Sequence, residues 1–185
     1  MKSYPNPKSL IYLVLLILFG SGWIWISRPG PDLMPKSEIL PQEGYLAPDF
    51  DLKSFTGENV SLSDYRGSPV ILNFWASWCP PCQREMPDFS KAQLEFDEQG
   101  VTILAVNALH RDSISALNAF LAKNPVSFQV LLDDSGAINQ AYQVHSLPTT
   151  YFIDAKGVIR KIIIGGPIPL SLIRIEINQL LEYQP

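Results

Sequence analysis

The chain has 185 residues, 46% of them hydrophobic, and a net charge of −4, which suits one domain with short appendages. Nucleic acid is excluded as a partner, because a phosphate-binding surface needs clustered Lys and Arg and the sequence has no such basic patch. Much of the apolar content lies before residue 28, and this uneven distribution argues against a cytosolic protein.

An uncharged apolar run occupies residues 9–27. At about 1.5 Å per residue in a helix, its length is close to the roughly 30 Å of a bilayer core. Lys2 and Lys8 precede the run, so we predict that residues 1–8 are cytoplasmic. The run exceeds the apolar stretch of a cleaved signal peptide, and we therefore predict an uncleaved membrane anchor over 9–27, with cleavage near Trp23 as the alternative.

The segment 28–43 contains four prolines, and their density predicts a stiff, extended linker. A globular domain is predicted over 44–185. Its hydrophobic pattern predicts a hairpin (50–52 and 60–62), strands over 70–75, 101–106, 128–132, 150–154 and 158–164, and helices over 82–99, 113–123, 136–142 and 170–181.

The alternating order of these elements predicts an α/β fold. We expect a central mixed sheet that is parallel where strands and helices alternate and antiparallel at the last hairpin, with helices on both faces.

Only two cysteines occur in the chain, Cys79 and Cys82, and they lie between a predicted buried strand and the helix that follows it. A helix N-terminus favours a thiolate, so Cys79 is predicted to be an exposed nucleophile with a lowered pKa. Cys82 is predicted to resolve the mixed disulfide. An inert disulfide would gain little from so short a loop, and a zinc site would need His110 and His145, whose separation does not match a zinc motif.

Several motifs outside the cysteine pair point to one family. They are GYLAPDF at 44–50, LSDYRG at 62–67, LNFWASWCPPCQREMP at 72–87 and LPTTYFID at 147–154. Together they resemble the TlpA/ResA-like thioredoxin family, which is related to the AhpC/TSA redoxins and consists of membrane-anchored or secreted bacterial thiol-disulfide oxidoreductases. The resemblance covers about 44–181 and implies a thioredoxin-like fold whose only redox group is the cysteine pair, with no other cofactor and no metal.

The resemblance also assigns two further site residues. Pro148 matches the family's cis-proline, which lies against the cysteine pair and leaves the backbone of Leu147 free to bind an extended substrate. Glu85 matches the family's active-site glutamate, one helical turn after Cys82, where a carboxylate can relay the proton of the resolving thiol. Asn73 occupies the position of the buried aspartate of thioredoxin.

The remaining candidates are assigned as follows. Trp78, Pro80 and Pro81 surround the cysteines and are predicted to contact the substrate. Trp75 and Asn73 are interpreted as the framework of the site. His145 is interpreted as a surface residue, and the segment from His110 through Arg111 to Asp112 as a solvated turn.

The leading hypothesis is a reductase of protein disulfides outside the cytoplasmic membrane, recharged by a membrane thiol donor. The family resemblance suggests the haem-binding cysteines of an apocytochrome c, or the cysteines of a copper-assembly factor for an oxidase, as its substrate. A disulfide-forming oxidase is the first alternative, although such proteins carry a helical insertion where 100–144 alternates strands and helices. A peroxiredoxin-type peroxidase would need a lone cysteine, and a copper chaperone would need ligands beyond Met86.

The first testable prediction concerns topology. In spheroplasts of cells that express the full chain, an externally added protease should digest residues 44–185. Without protease, the intact protein should stay in the membrane fraction. The reason is the combination of the Lys2 and Lys8 flank with the length of the 9–27 run. Release of the full-length chain into the soluble periplasmic fraction would contradict the anchor.

Overall fold

A computed structural model of the protein describes residues 36–183. The predicted anchor at 9–27 and the linker as far as residue 35 lie outside the described residues. Within 36–183, no helix is both long enough and apolar enough to cross a membrane.

The described residues form nine strands and four α-helices. The strands are β1 Lys36–Ile39, β2 Tyr45–Leu46, β3 Asp51–Ser54, β4 Asn59–Ser61, β5 Val70–Trp75, β6 Thr102–Asn107, β7 Gln129–Leu132, β8 Thr149–Ile153 and β9 Ile159–Ile164. The helices are α1 Pro80–Phe96, α2 Ile114–Lys123, α3 Ala137–Ala141 and α4 Leu170–Glu182, with short 3-10 helices at Leu62–Tyr65, Asp97–Gln99 and Leu109–Arg111.

Seven of the strands form one mixed sheet in the order β4-β3-β7-β6-β5-β8-β9. The pairs β5–β6 and β6–β7 are parallel, whereas β5–β8 and β8–β9 are antiparallel. This arrangement confirms the predicted mixed sheet and the predicted hairpins. All six residues of β5 are buried, as expected for a strand in the middle of a sheet that is covered on both faces.

The two faces of the sheet carry separate apolar clusters. On one face, Ile71, Ile103 and Phe152 pack with side chains of α1, α2 and α4. On the other face, Leu72 and Phe74 belong to a cluster that includes residues of α3 and the β3–β4 hairpin. Helices therefore cover both faces, as predicted.

The first described strand lies within the segment 28–43 that the prolines predict to be a linker. β1 pairs in parallel with β2, and the Leu40 N–H donates to the Leu46 carbonyl at 3.1 Å. Pro35 and Pro41 flank this strand rather than interrupt it. Because proline favours extended backbone and restricts only its own position and the one before it, the residues between the two prolines can pair as a strand.

Helix α1 begins at Pro80, two residues before the predicted start at Cys82. Cys79 is its N-cap, and prolines occupy the first two helical positions, where an N–H has no partner within the helix. After the 3-10 turn at Asp97–Gln99, Gly100 adopts a left-handed conformation with φ 75° and ends the helical segment.

The packing of α1 on the sheet generates a stability prediction. Phe89 is 0% exposed and Leu94, on the same helix, is 71% exposed. Phe89→Ala should lower the free energy of unfolding by about 3–5 kcal/mol through the cavity that it creates. The matched control Leu94→Ala should change it by less than about 1 kcal/mol. Equal losses in urea denaturation would contradict this account of the core.

Candidate active site

The two cysteines lie at the end of the sheet where the parallel strands finish. β5 ends at Trp75, a short loop follows, and α1 begins at Pro80. Cys79 and Cys82 form a disulfide with their Cα atoms 5.3 Å apart. Cys79 therefore ends the loop between a buried strand and a long helix, and Cys82 lies in the first turn of that helix.

The prediction that Cys79 is exposed is wrong for this disulfide form. Cys79 is 3% exposed and Cys82 is 0% exposed, because both belong to the apolar cluster that contains Trp75 and Met86. Pro80 and Pro81 have no N–H, so Cys82 is the first residue of α1 that carries one. The helix N-terminus consequently offers fewer backbone donors to a thiolate than an ordinary helix does.

A carboxylate from the loop after β6 binds the loop that leads to Cys79. Asp112 accepts hydrogen bonds from the Ser77 N–H at 2.6 Å, the Ser77 hydroxyl at 2.7 Å and the Asn107 side-chain amide at 3.0 Å. It also accepts from the Ser113 N–H at 2.8 Å. Burial raises the pKa of Asp112, but these hydrogen bonds together lower it by more, so the pKa lies below its usual value. Asp112 is therefore ionised at neutral pH and ties the cysteine loop to the loop after β6.

This role of Asp112 was not predicted from the sequence, where the segment from His110 to Asp112 was interpreted as a solvated turn. His110 is exposed there, but its backbone N–H donates to the Asp133 carbonyl at 3.2 Å. His110 and His145 both line a cleft of about 410 Å³ beside α3, and neither cysteine lines it. No pattern around Asp112 in the sequence marks its contact with a residue 35 positions earlier.

Trp78 is the large apolar side chain exposed directly beside the disulfide. It is 50% exposed, yet its orientation is constrained. Its indole N–H donates to the Arg111 carbonyl at 2.8 Å, and the Arg111 guanidinium lies 5.9 Å from the centre of the ring. Pro80 is exposed and Pro81 is half-buried, so the structure places these predicted substrate contacts around Cys79.

Pro148 lies at the same end of the sheet. The Leu147–Pro148 peptide bond is cis, as the resemblance implies. Phe74 pairs with Thr149 across the β5–β8 ladder, so the residues just before Thr149 flank the end of β5, where the cysteine loop begins. Pro148 is buried and Leu147 is half-buried.

Glu85 is the buried carboxyl group of this site, with 0% exposure. Its Oε1 accepts from the Asn73 side-chain amide and its Oε2 accepts from the Ile168 N–H, both at 3.0 Å. The Asn73 amide also donates to the Thr150 hydroxyl at 3.0 Å. Burial raises the pKa of Glu85 to about 7, although the hydrogen bonds from Ile168 and Asn73 lower it in part.

The position of Glu85 makes it a candidate proton acceptor. It lies one helical turn after Cys82, and both side chains are completely buried on α1. A carboxyl group with a pKa near 7 can accept and return a proton at neutral pH. Sequence reasoning found Glu85 and Asn73, but it gave no sign of Ile168, which is 83 residues away from Glu85.

Comparison with known proteins agrees with this geometry. The sequence matches the AhpC/TSA family over residues 44–162. The chain belongs to the AhpC/TSA family. The thioredoxin-like protein YneN of Bacillus subtilis is 41% identical over 160 residues, which are 85% of this chain and 90% of YneN.

Two further relatives of this AhpC/TSA protein carry names that describe thiol chemistry. The thiol-disulfide oxidoreductase ResA of Bacillus subtilis is 40% identical over 123 residues, 66% of this chain and 68% of ResA. The crystal structure of the exposed lipoprotein thioredoxin Etrx1 of Streptococcus pneumoniae superposes with a TM-score of 0.63 at 31% identity, covering 73% of this chain and 99% of Etrx1. The fold is therefore thioredoxin-like, and the protein is a thiol-disulfide oxidoreductase with Cys79 and Cys82 as its active-site cysteines.

The raised pKa of Glu85 predicts a pH-dependent cost to stability. Between its ordinary value of 4.5 and about 7, the folded state holds the proton of Glu85 more tightly than the unfolded state, so stability falls as the pH rises through this window. Glu85→Gln cannot ionise and should lack this fall. The stability of the variant relative to wild type should therefore rise between pH 4 and pH 8, by on the order of 3 kcal/mol at most.

Urea denaturation of the oxidised proteins at several pH values measures this difference. Glu98→Gln is the matched control, because it makes the same substitution at an exposed position. Parallel curves for wild type and Glu85→Gln would show that Glu85 titrates as an ordinary carboxyl group.

Proposed function

We propose that this protein is a membrane-anchored disulfide reductase that acts outside the cytoplasm, with Glu85 as the proton acceptor for Cys82. The observation that carries the proposal is the buried Glu85 carboxyl group, with a pKa of about 7, one helical turn from the resolving cysteine. The uncharged run at 9–27 supports the membrane anchor.

The reaction begins with the reduced protein. The Cys79 thiolate attacks one sulfur of a substrate disulfide, the substrate S–S bond breaks, and the second substrate sulfur leaves as a thiol after taking up a proton. Cys79 is then joined to the substrate in a mixed disulfide. At this stage the substrate has accepted the electron pair of its broken bond and carries one free thiol.

Resolution of the mixed disulfide uses Cys82 and Glu85. The Cys82 thiol gives its proton to the Glu85 carboxylate, and the resulting thiolate attacks the Cys79 sulfur. The bond from Cys79 to the substrate breaks, and the second substrate sulfur leaves as a thiolate that takes up a proton from water. The products are a substrate dithiol and the Cys79–Cys82 disulfide, which is the form that the structure contains.

The substrate would lie as an extended chain across the exposed surface beside Cys79. One side of this substrate-binding surface consists of Trp78, Pro80 and Pro81. The other side is the Leu147 backbone next to cis Pro148. Because Cys79 is 3% exposed in the disulfide form, the loop that carries it must present the sulfur more openly after reduction. Protein disulfides are the substrate class, with apocytochrome c or a copper-assembly factor as the specific substrates suggested by the family resemblance.

The direction of electron flow is the second part of the proposal. A thiol donor in the membrane would reduce the Cys79–Cys82 disulfide after each turnover, and the anchor at 9–27 raises the effective concentration of the domain beside that donor. We expect a reduction potential nearer the roughly −270 mV of thioredoxin than the roughly −120 mV of a strong periplasmic oxidant.

The fold between the cysteine helix and Pro148 favours reduction over disulfide formation. Residues 102–141 contain β6, α2, β7 and α3, in place of the helical insertion that the oxidase alternative requires. Met86, which a copper chaperone could use as an extra ligand, is 1% exposed and lies in the core. The peroxidase alternative is tested directly by turnover of hydrogen peroxide.

The test is a trapping experiment in the full-length protein. Cys82→Ser should accumulate mixed disulfides between Cys79 and envelope proteins, because the resolving thiol is missing. The matched control Cys79→Ser should trap none. The purified wild-type protein should also reduce insulin disulfides faster than it consumes hydrogen peroxide. Faster peroxide turnover, or equal trapping by both variants, would contradict the proposal.

A further inference from the structure

Gly166 lies in the turn between β9 and α4, and it faces both Glu85 and Pro148. A Cβ atom at this position would lie 2.6 Å from Glu85 Oε2 and 2.7 Å from Pro148 Cγ. Both distances are well below a normal contact between heavy atoms. The Glu85 carboxyl group and the Pro148 ring therefore occupy the space that any other residue at 166 would need.

The same turn is bonded to both of these neighbours. The Gly165 N–H donates to the Pro148 carbonyl at 2.8 Å, and the Ile168 N–H donates to Glu85 Oε2 at 3.0 Å. At the start of α4, the Leu170 N–H donates to Asp88 of α1 at 3.2 Å. The turn thus lies directly on α1 and on the start of β8.

Glycine is required at 166 because neighbouring atoms leave no room for a side chain, and not because of the backbone conformation. Gly165 has φ +88° and no atom within 4 Å of the position that a Cβ would take, whereas the φ of Gly166 lies outside the left-handed region. The backbone at 166 would accept alanine, so the contacts with Glu85 and Pro148 are what exclude a side chain there. Gly165 is therefore required for its backbone conformation, and Gly166 is required because no space is left for a side chain.

We propose that Gly166 is a positioning residue for Glu85. Its missing side chain lets the turn approach α1 closely enough for the Ile168 N–H to reach Glu85 Oε2. The same close approach packs the turn against the Pro148 ring. One glycine therefore positions both the proton acceptor Glu85 and one side of the substrate-binding surface. This inference rests on the proposed role of Glu85 in resolution.

The environment of Glu85 determines what displacement should do. No charged side chain contributes to its pKa, which depends on burial and on the hydrogen bonds from Ile168 and Asn73. Asp88, further along α1, is half-buried and accepts the Leu170 N–H. A Cβ at 166 would displace Oε2 from the Ile168 N–H while Oε1 keeps its contact with Asn73. Because the Ile168 hydrogen bond lowers the pKa, its loss should move the pKa upward.

The experiment compares Gly166→Ala with the matched control Gly165→Ala in the full-length protein. The control strains the same turn without touching Glu85. The rate at which Cys82 resolves a Cys79 mixed disulfide with a small thiol is measured from pH 5 to pH 9. Gly166→Ala should slow resolution at pH 7 by about tenfold, as expected for a lost hydrogen bond to a charged group, and should shift the pH midpoint upward. Gly165→Ala should keep the wild-type midpoint.

A double-mutant cycle tests whether the effect passes through Glu85. Glu85→Asp withdraws the carboxyl group by one methylene, which removes the contact of a Cβ at 166 with Glu85 but not its contact with Pro148 Cγ. Adding Gly166→Ala to Glu85→Asp should therefore slow resolution by less than about twofold, and should lower the thermal unfolding midpoint by less than it does in the wild-type background. The same pairing covers the case in which Gly166→Ala alone is unfolded, because Glu85→Asp removes one of the two close contacts and should restore part of the lost stability. Additive effects of the two substitutions on rate and midpoint would overturn the inference.

Failure of this inference is distinguishable from failure of the proposed function. If Glu85→Gln leaves resolution unchanged, the proton relay is wrong. If Glu85→Gln slows resolution but Gly166→Ala behaves like Gly165→Ala, the relay stands and the positioning role of Gly166 is wrong.

Discussion

The burial of one carboxyl group is the constraint on which this site depends. Glu85 has no exposed surface, and burying a polar group is costly unless donors satisfy it. Its donors come from the Asn73 side chain on β5 and the Ile168 backbone before α4. Helix α1, the neighbouring strand β5 and the distant turn before α4 therefore meet at this carboxyl group.

Two carboxyl groups of opposite character contact the segments next to the cysteine pair or lie on the cysteine helix. Asp112 accepts four hydrogen bonds, which hold its pKa below the usual value, so it stays ionised and serves as a scaffold for the loop before Cys79. Glu85 accepts two, and burial raises its pKa to about 7. The two environments separate the pKa values of chemically similar side chains: Asp112 is kept ionised as a structural group, and Glu85 is suited to the proton transfer that we propose for it.

Local patterns in the sequence predicted the elements well. β5 was predicted at its observed bounds, because a strand that is buried along all six residues is encoded by an almost continuous apolar run. The helix after Ser113 was predicted equally well, since the Ser113 hydroxyl accepts from the Ala116 N–H as an N-cap should. Glu85 lies one helical turn after Cys82, and this spacing together with the family resemblance associated it with the cysteine pair.

Contacts between distant segments could not be predicted in the same way. The role of Asp112 depends on Ser77, 35 residues earlier, and that of Gly166 on Glu85, which lies on a different helix; neither residue stands in a recognisable motif. The burial of Cys79 depends on packing by several elements around the disulfide, whereas sequence reasoning considered only its place at a helix terminus. β1 escaped prediction because its flanking prolines are equally typical of a linker.

The most direct test of this account is the pKa of Glu85 itself. Isotope-edited infrared spectroscopy of the oxidised protein, with Glu85→Gln used to assign the carboxyl band, measures the protonated fraction as a function of pH. The account predicts that the Glu85 band titrates with a midpoint of about 7. A midpoint near the ordinary glutamate value of 4.5 would contradict it, because so strong an acid would be almost fully ionised near neutrality and could not exchange protons with Cys82 efficiently there.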